Sequence, residues 1–317
     1  MDKIDLQGIV HPKKEVKMDK IIVPPIKIQG KKTQLIEWLN NCINLDDEQL
    51  YIEPFMGSGV VGINIARRKA LFADSNPHII NFYNEVKNGT INPPIIKDFL
   101  EKEGQKLSQF GVEHFKFIRD RFNAEGNPID FLFLNRSCFN GMIRFNKSFK
   151  FNVPYGHKPE RFAQAYITKI TNQIKYVQGL IEMNDWEFKC QDFRKTLSEA
   201  NSDSFIYCDP PYIGRHVDYY DSWTEEDEFD LKKYLEATNC SFGISTWHSN
   251  TYRSNEYLQT LWADYNIATT QHFYHVGAKE SNRNEVLEAL ITNCEVSEEL
   301  FIKKRKSEKE ALQLELF

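Results

Sequence analysis

The sequence of 317 residues predicts an α/β fold, one mostly parallel sheet covered by helices on both faces and interrupted by a long insertion. Three observations carry this. Two β-type apolar segments, "QLYIEPF" (49–55) and "KALFAD" (69–74), flank "GVVGINIARRK", which has helical spacing and a basic end. Further strand-like segments recur after residue 185 with helical ones between them. Between Asp74 and Trp186 the alternation stops and helical patterns take over. Strands that alternate with helices pair in parallel, and such a sheet binds ligands at the carboxyl ends of its strands, where strand order reverses.

In chain order, residues 1–23 read as a polar tail without the apolar stretch of a signal peptide. Residues 24–75 and 186–296 form the sheet domain, and 76–185 the insertion, with helices expected in "NPPIIKDFLEKEGQKL" and "GVEHFKFIRDRFN". The later strands are 186–190, 204–209, 240–246, 267–276 and 285–293. Ahead of "TEEDEFDLKKYLEAT", Thr224 and Asp227 have capping-box spacing. Residues 297–317 read as a second tail.

Hydrophobic residues are 41% of the chain and charged residues 27%, which suits a globular core. No apolar run approaches the roughly 20 residues of a membrane span, so the expected location is cytoplasmic, without a membrane partner. Cys42, Cys138, Cys190, Cys208, Cys240 and Cys294 occur singly with no zinc spacing, which predicts reduced thiols and no metal. The net charge of −5 gives no hint of nucleic acid, but its distribution does. Residues 131–159 contain Arg136, Arg144, Lys147, Lys150 and Lys158 without one Asp or Glu, interleaved with Phe139, Phe145, Phe149, Phe151 and Tyr155.

Two strand ends carry candidate chemistry. "EPFMGSG" (Glu53 to Gly59) leaves the first strand and opens a helix, where small residues let a ligand approach the backbone; a bare Gly-x-Gly turn standing alone is more often only a tight connection. Asp74 ends the next strand, placed to accept ribose hydroxyls or to cap the following helix. With no G-x-G-x-x-G and no G-K-[ST], an adenosine ligand without phosphates fits, such as S-adenosylmethionine. In "CDPPY", Pro210 and Pro211 remove two N–H groups, so the loop after Asp209 presents acceptors only. Such a corner suits an amine conjugated to an aromatic ring. The Asp209 carboxylate and Pro210 carbonyl orient it and stabilise its developing positive charge, and Tyr212 stacks on the base.

The ordered set "PIKIQGKKTQL", "YIEPFMGSG", "ADSNP", "FLNRSCFNGMIRFN", "FNVPYG" and "CDPPY" resembles the Dam-type family of bacterial and phage DNA adenine-specific (N6) methyltransferases, over about residues 24 to 293. The resemblance implies a Rossmann-like S-adenosylmethionine-dependent methyltransferase sheet with a helical and β-hairpin target-recognition insertion. It implies Asp209, Pro210 and Tyr212 as the catalytic motif. It places Ile28, Lys32, Glu53, Pro54, Phe55, Gly57, Ser58, Gly59, Asp74, Asp192, Phe193 and Asp209 around the cofactor. The family's Lys-Trp-x-Gly-Gly-Lys motif here reads Lys27-Ile28-Gln29-Gly30-Lys31-Lys32, lacking the Trp and one Gly. In the hairpin, Phe139 and Asn140 correspond to the tip and Arg144 to a base-edge reader. Arg136, Lys147, Lys150 and Lys158 correspond to phosphate contacts, while phenylalanines 145, 149 and 151 read as the hairpin's own core.

The implied reaction is methyl transfer to a flipped adenine of double-stranded DNA with S-adenosyl-L-homocysteine as product and no metal. The implied setting is a monomer, either in restriction-modification beside a cognate endonuclease or as an orphan or phage methylase. The acceptor chemistry alone serves a cytosine amine or an RNA adenine as well, and a non-catalytic specificity subunit on the same scaffold is the alternative from another class. Ser245, His248, Lys279 and Arg283 read as lesser candidates near the site or the DNA.

Overall fold

The computed structural model describes residues 20–30, 32–213, 223–250, 253–273 and 285–296. The greater part of both expected tails, together with Lys279 and Arg283, lies outside the described residues.

Seven strands form one sheet: β1 Leu50–Glu53, β2 Lys69–Asp74, β3 Asp185–Cys190, β4 Phe205–Cys208, β5 Ser241–Asn250, β6 Asn266–Phe273 and β7 Glu285–Thr292. Their order is β3-β2-β1-β4-β5-β7-β6. β1 pairs in parallel with β2 on one side and β4 on the other, with Ile52 opposite both Leu71 and Ile206. Strand order therefore reverses between β1 and β4. β7 is antiparallel to β5 and β6. The sequence read β5 as 240–246, but it continues to Asn250 past a register shift between Trp247 and Ser249, so Ser245 and His248 lie within the strand.

Each strand serves two cores by alternation. Tyr51, Phe72, Phe205 and Tyr207 point into one apolar cluster, while Ile52, Leu71, Ile206 and Cys208 point into another. The helices are α1 Ile36–Cys42, α2 Val60–Ile65, α3 Pro77–Lys87, α4 Pro93–Phe110, α5 Val112–Glu125, α6 Pro128–Ser137, α7 Gln164–Met183, α8 Phe193–Ser198, α9 Glu225–Thr238 and α10 Tyr257–Thr260. Three begin with Asn-Pro, where the Asn side chain accepts from the helix backbone and the Pro needs no partner: Asn76, Asn92 and Asn127 cap α3, α4 and α6. Thr224 and Asp227 make the expected capping box of α9. α2 ends at Ile65, earlier than its sequence pattern; Arg67 and Arg68 lie beyond it beside Asp47 and Glu48.

The 76–185 segment holds α3 to α7, and its packing does not stop at the sheet. One apolar cluster runs from Tyr51 and Phe72 through Leu100 and Phe133 to Ile174. α2 sits close to β1 and β2 because of Gly62: a Cβ there would stand 2.1 Å from Phe72 Cε1 and 2.3 Å from Glu53 Oε2. Gly62→Ala is expected to lower stability by about 2 kcal/mol through overpacking, measured by chemical denaturation; an unchanged midpoint would show that α2 yields freely.

Candidate active site

The carboxyl ends of β1, β2 and β4 meet at the reversal point. After β1, the chain turns through Gly57 and Gly59, both at positive φ (51° and 72°), where L side chains are strained. At Gly59 a Cβ would also lie 2.7 Å from Met56 Cε, so the end of that methionine would have to move. Met56 N–H donates to the Ala73 carbonyl at 2.8 Å, and Tyr83 donates to the Ser58 carbonyl at 2.6 Å, which fixes the turn from below. Asp74 is not the cap of α3; that is Asn76. Asp74 accepts instead from Gly57 N–H and Asn76 N–H, each at 2.8 Å, and so joins the two strand ends. Burial raises its pKa, and the two backbone donors oppose the rise.

A cofactor of the proposed kind fits this turn. The glycine cradle is small, Ile28 lies against Gly57, and the Asp74 carboxylate retains lone pairs beyond its two backbone bonds. Pro54 and Phe55 line the exit from β1. Phe55 meets Phe193 at 5.3 Å and Trp223 at 5.4 Å between ring centroids, an apolar wall that the sequence reading found only in part. Asp192 caps α8 through Arg194 N–H at 2.8 Å and pairs with the Arg194 guanidinium at 3.2 Å. Glu53 is placed beneath the turn, 2% exposed, where it accepts from Gly62 N–H at 3.0 Å. Burial, and then the charges of Asp209 and Asp74, hold its pKa well above the carboxylate range.

Across the reversal point, Asp209, Pro210 and Tyr212 leave β4. Lys32 reaches them from the N-terminal segment, 2% exposed. Its ammonium bonds the Tyr212 hydroxyl, lies 3.6 Å from Asp209 Oδ1 and stands 5.0 Å from the Tyr212 ring centroid. A residue missing from the sequence reading completes the group: Glu288 of β7, 1% exposed, accepts from Lys32 at 3.0 Å and from the Tyr212 hydroxyl at 3.2 Å. Burial pushes the Asp209 carboxyl up to about 6; the Lys32 charge pulls it down and Glu288 pushes it up again. Tyr207 beneath bonds Ser245 at 2.7 Å, so Ser245 supports the strand end.

The basic aromatic segment folds as an arm with two antiparallel bridges, Cys138 to Tyr155 and Phe145 to Phe151. Its tip is Asn146–Lys150: Asn146 N–H donates to the Lys150 carbonyl, and the Asn146 side chain accepts from Ser148 and Lys150. Phe139 and Asn140, expected at the tip, lie instead in a 3-10 turn, Phe139–Gly141, at the base of the arm, with Phe139 51% exposed. Gly141 packs there against Lys27, and Asn135 binds the Lys27 backbone in both directions. Arg144 donates to the Asn152 side chain at 2.8 Å and its carbonyl at 3.2 Å. Lys147 and Lys150 are exposed at the tip, and Lys158 lines an open cleft.

Arg136 departs from its expected role. It is 2% exposed and donates to the Pro25 carbonyl at 2.8 Å, so it does not stand on the exposed face of the arm with Lys147 and Lys150. Phe145 and Phe151 are arm core as expected, while Phe149 is 39% exposed, at φ 54°, and stacks on Phe145 at 5.0 Å. His78 of α3 stacks on Phe145 at 4.9 Å and anchors the arm; burial pushes its pKa down to about 4, so it is neutral there.

The described residues contain no group of three or more His, Cys, Asp or Glu side chains able to hold a metal, and no described helix is long and apolar enough to cross a membrane. A DNA adenine methylase of Haemophilus influenzae is 33% identical over 215 residues, 64% of this chain and 69% of its own. A type II methyltransferase of Methanocaldococcus jannaschii is 28% identical over 303 residues, 86% of this chain and 99% of its own. The type II methyltransferase M.FokI of Planomicrobium okeanokoites is 28% identical over 289 residues; the chain spans 44% of that longer protein. The family described as D12 class N6 adenine-specific DNA methyltransferase matches residues 29–276, the span that holds the glycine turn, the arm and the "CDPPY" corner. The chain belongs to that family of DNA adenine methyltransferases.

Proposed function

We propose that this chain transfers a methyl group from S-adenosylmethionine to the exocyclic N6 of an adenine turned out of duplex DNA, releasing S-adenosylhomocysteine. The observation that carries the reading is the acceptor corner of Asp209 and Pro210, set across the strand-order reversal from the Gly57–Gly59 turn, with Lys32 and Tyr212 tied to it. When bound, the cofactor supplies an electrophilic methyl group on a sulfonium. The Asp209 carboxylate and Pro210 carbonyl accept the two N–H bonds of the amine, which turns its lone pair toward the methyl. As the C–N bond forms, the same acceptors stabilise the positive charge gathering on nitrogen. Lys32 holds Tyr212 by its hydroxyl end, and the base stacks on the ring.

In this reading 24–75 and 186–296 do the chemistry and 76–185 recognises the target. The tip cations Lys147 and Lys150 meet phosphates, and Arg144 reaches a base edge by exchanging Asn152 for guanine. The type II names of relatives favour a restriction-modification setting, and in this reading the chain acts there as a cytoplasmic monomer beside a cognate endonuclease.

Nucleoside digestion of treated duplex DNA with mass-spectrometric detection tests the reaction. N6-methyladenine is the expected product, and N4-methylcytosine or modification confined to RNA would defeat the reading. Lys147→Ala and Lys150→Ala are each expected to reduce the slope of log Kd against log salt by about 1. A slope unchanged in both would remove the arm tip from the DNA interface.

A further inference from the structure

Three buried side-chain atoms without a hydrogen-bond partner converge on one cavity, Thr33 Oγ1, Arg136 Nε and Gln173 Oε1, and the Tyr166 hydroxyl joins them there beside Lys27 and Arg136. The cavity, of about 90 Å³, lies between the N-terminal segment, α6 and α7, with Lys27 and Lys169 also on its wall. It shares Tyr166 and Lys169 with an open cleft of about 730 Å³. Buried polar atoms are nearly always paired, because leaving one unpaired is costly. Several around a single hollow indicate that something polar fills it.

The charge of the wall indicates what. Arg136 and Arg161 stand 4.8 and 4.7 Å from the Tyr166 ring centroid, and Lys27 Nζ stands 5.7 Å away. Burial alone would raise the Tyr166 pKa, yet Arg136, Lys27 and Arg161 outweigh it and hold the group below its ordinary value. Burial lowers the pKa of both Lys27 and Arg136, and no carboxylate is among the described residues that line the cavity. Water satisfies hydrogen bonds but not unbalanced positive charge. An anion satisfies both.

We propose that this cavity binds one tetrahedral oxyanion of the phosphate type, either the free ion or a phosphate of a nucleic-acid backbone. Arg136 Nε, the Thr33 hydroxyl and the Tyr166 hydroxyl donate to it. The Lys27 and Lys169 ammonium groups add charge at its edge. Gln173 accepts from a P–OH or, with its amide turned over, donates to an oxygen. Thr33 follows Lys32 in the chain, and Ser58 of the glycine turn lines the same cavity. A bound oxyanion therefore ties the N-terminal segment to α6 and α7 directly behind the candidate active site. The binding itself does not depend on the methyl-transfer reading.

The test is thermal unfolding of the full chain in inorganic phosphate against sodium chloride at equal ionic strength, without DNA. A saturable rise in Tm with phosphate is expected. Thr33→Val, which removes only a hydroxyl, and Lys169→Met, at the exposed edge, should each weaken the midpoint of that rise at least fivefold. If free phosphate has no effect but both variants weaken duplex binding, and Lys169→Met also lowers its salt slope by about 1, the oxyanion comes from the DNA backbone. A phosphate effect equal in wild type and both variants would mean an ion bound elsewhere and overturn the proposal. So would the absence of any effect on phosphate or duplex binding, which would leave a water-filled cavity.

Discussion

Asp209→Asn is expected to lower kcat by about 10²- to 10³-fold, the loss typical of removing one electrostatic stabiliser of a transition state, and to make the chain more stable. Asparagine keeps one acceptor oxygen but adds an amide donor aimed at an amine that needs acceptors, and it lacks the negative charge that offsets the cation forming on nitrogen. The stability gain follows from the same burial. The Asp209 carboxyl titrates at about 6 against an ordinary value of 3.8, so its ionisation opposes folding. That penalty is absent below the unfolded value, grows as pH rises through about 6, and amounts to about 3 kcal/mol above it, since each pH unit is worth about 1.4 kcal/mol. Denaturation at pH 4 and pH 8 should show the variant gaining on wild type only at the higher pH. In wild type, kcat/KM should fall below about pH 6 as the carboxylate takes a proton and becomes a donor. A flat profile from pH 5 to 8 would mean that Asp209 is not the acceptor.

The local signals in the sequence found the two loops that meet at the reversal point. Gly57, Gly59 and the two prolines after Asp209 act within their own few residues, and a strand that alternates between two buried faces leaves a periodic trace. The same is true of the Asn-Pro helix starts. What sequence reading missed depends on contacts between distant parts of the chain. Phe139 and Asn140 were expected at the arm's tip, but the turn closes around the Asn146 side chain, and the earlier pair is held at the base by Lys27 and Asn135. Arg136 looks like any cation of a basic segment, yet it ends α6 on the side that packs against Pro25, and burial follows from that facing. Glu288 left one legible trace, an acid in the apolar middle of the strand "EVLEALIT". Nothing local tells such an acid which cation it meets, because Lys32 lies 256 residues away.

Glu288 is therefore the residue whose removal separates structure from chemistry. Glu288→Ala takes away one of two acids beside a buried ammonium and should cost about 3–5 kcal/mol, as breaking a buried ion pair does. Glu288→Gln keeps the volume and an acceptor oxygen for Lys32 and Tyr212, so the site stays assembled, but it removes a negative charge that raises the Asp209 pKa. Asp209 then ionises more readily, and the acid limb of kcat/KM should move below about pH 6 while KM for S-adenosylmethionine changes little. A purely structural Glu288 gives a different pattern: Gln and Ala fall in stability together. Loosening the site also admits water to Asp209, and because burial is the largest cause of its raised pKa, that too would move the acid limb down. The combination decides the matter: a limb that moves in Glu288→Gln at unchanged stability requires the loss of a charge close to Asp209, which places β7 in electrostatic contact with the reacting corner of β4.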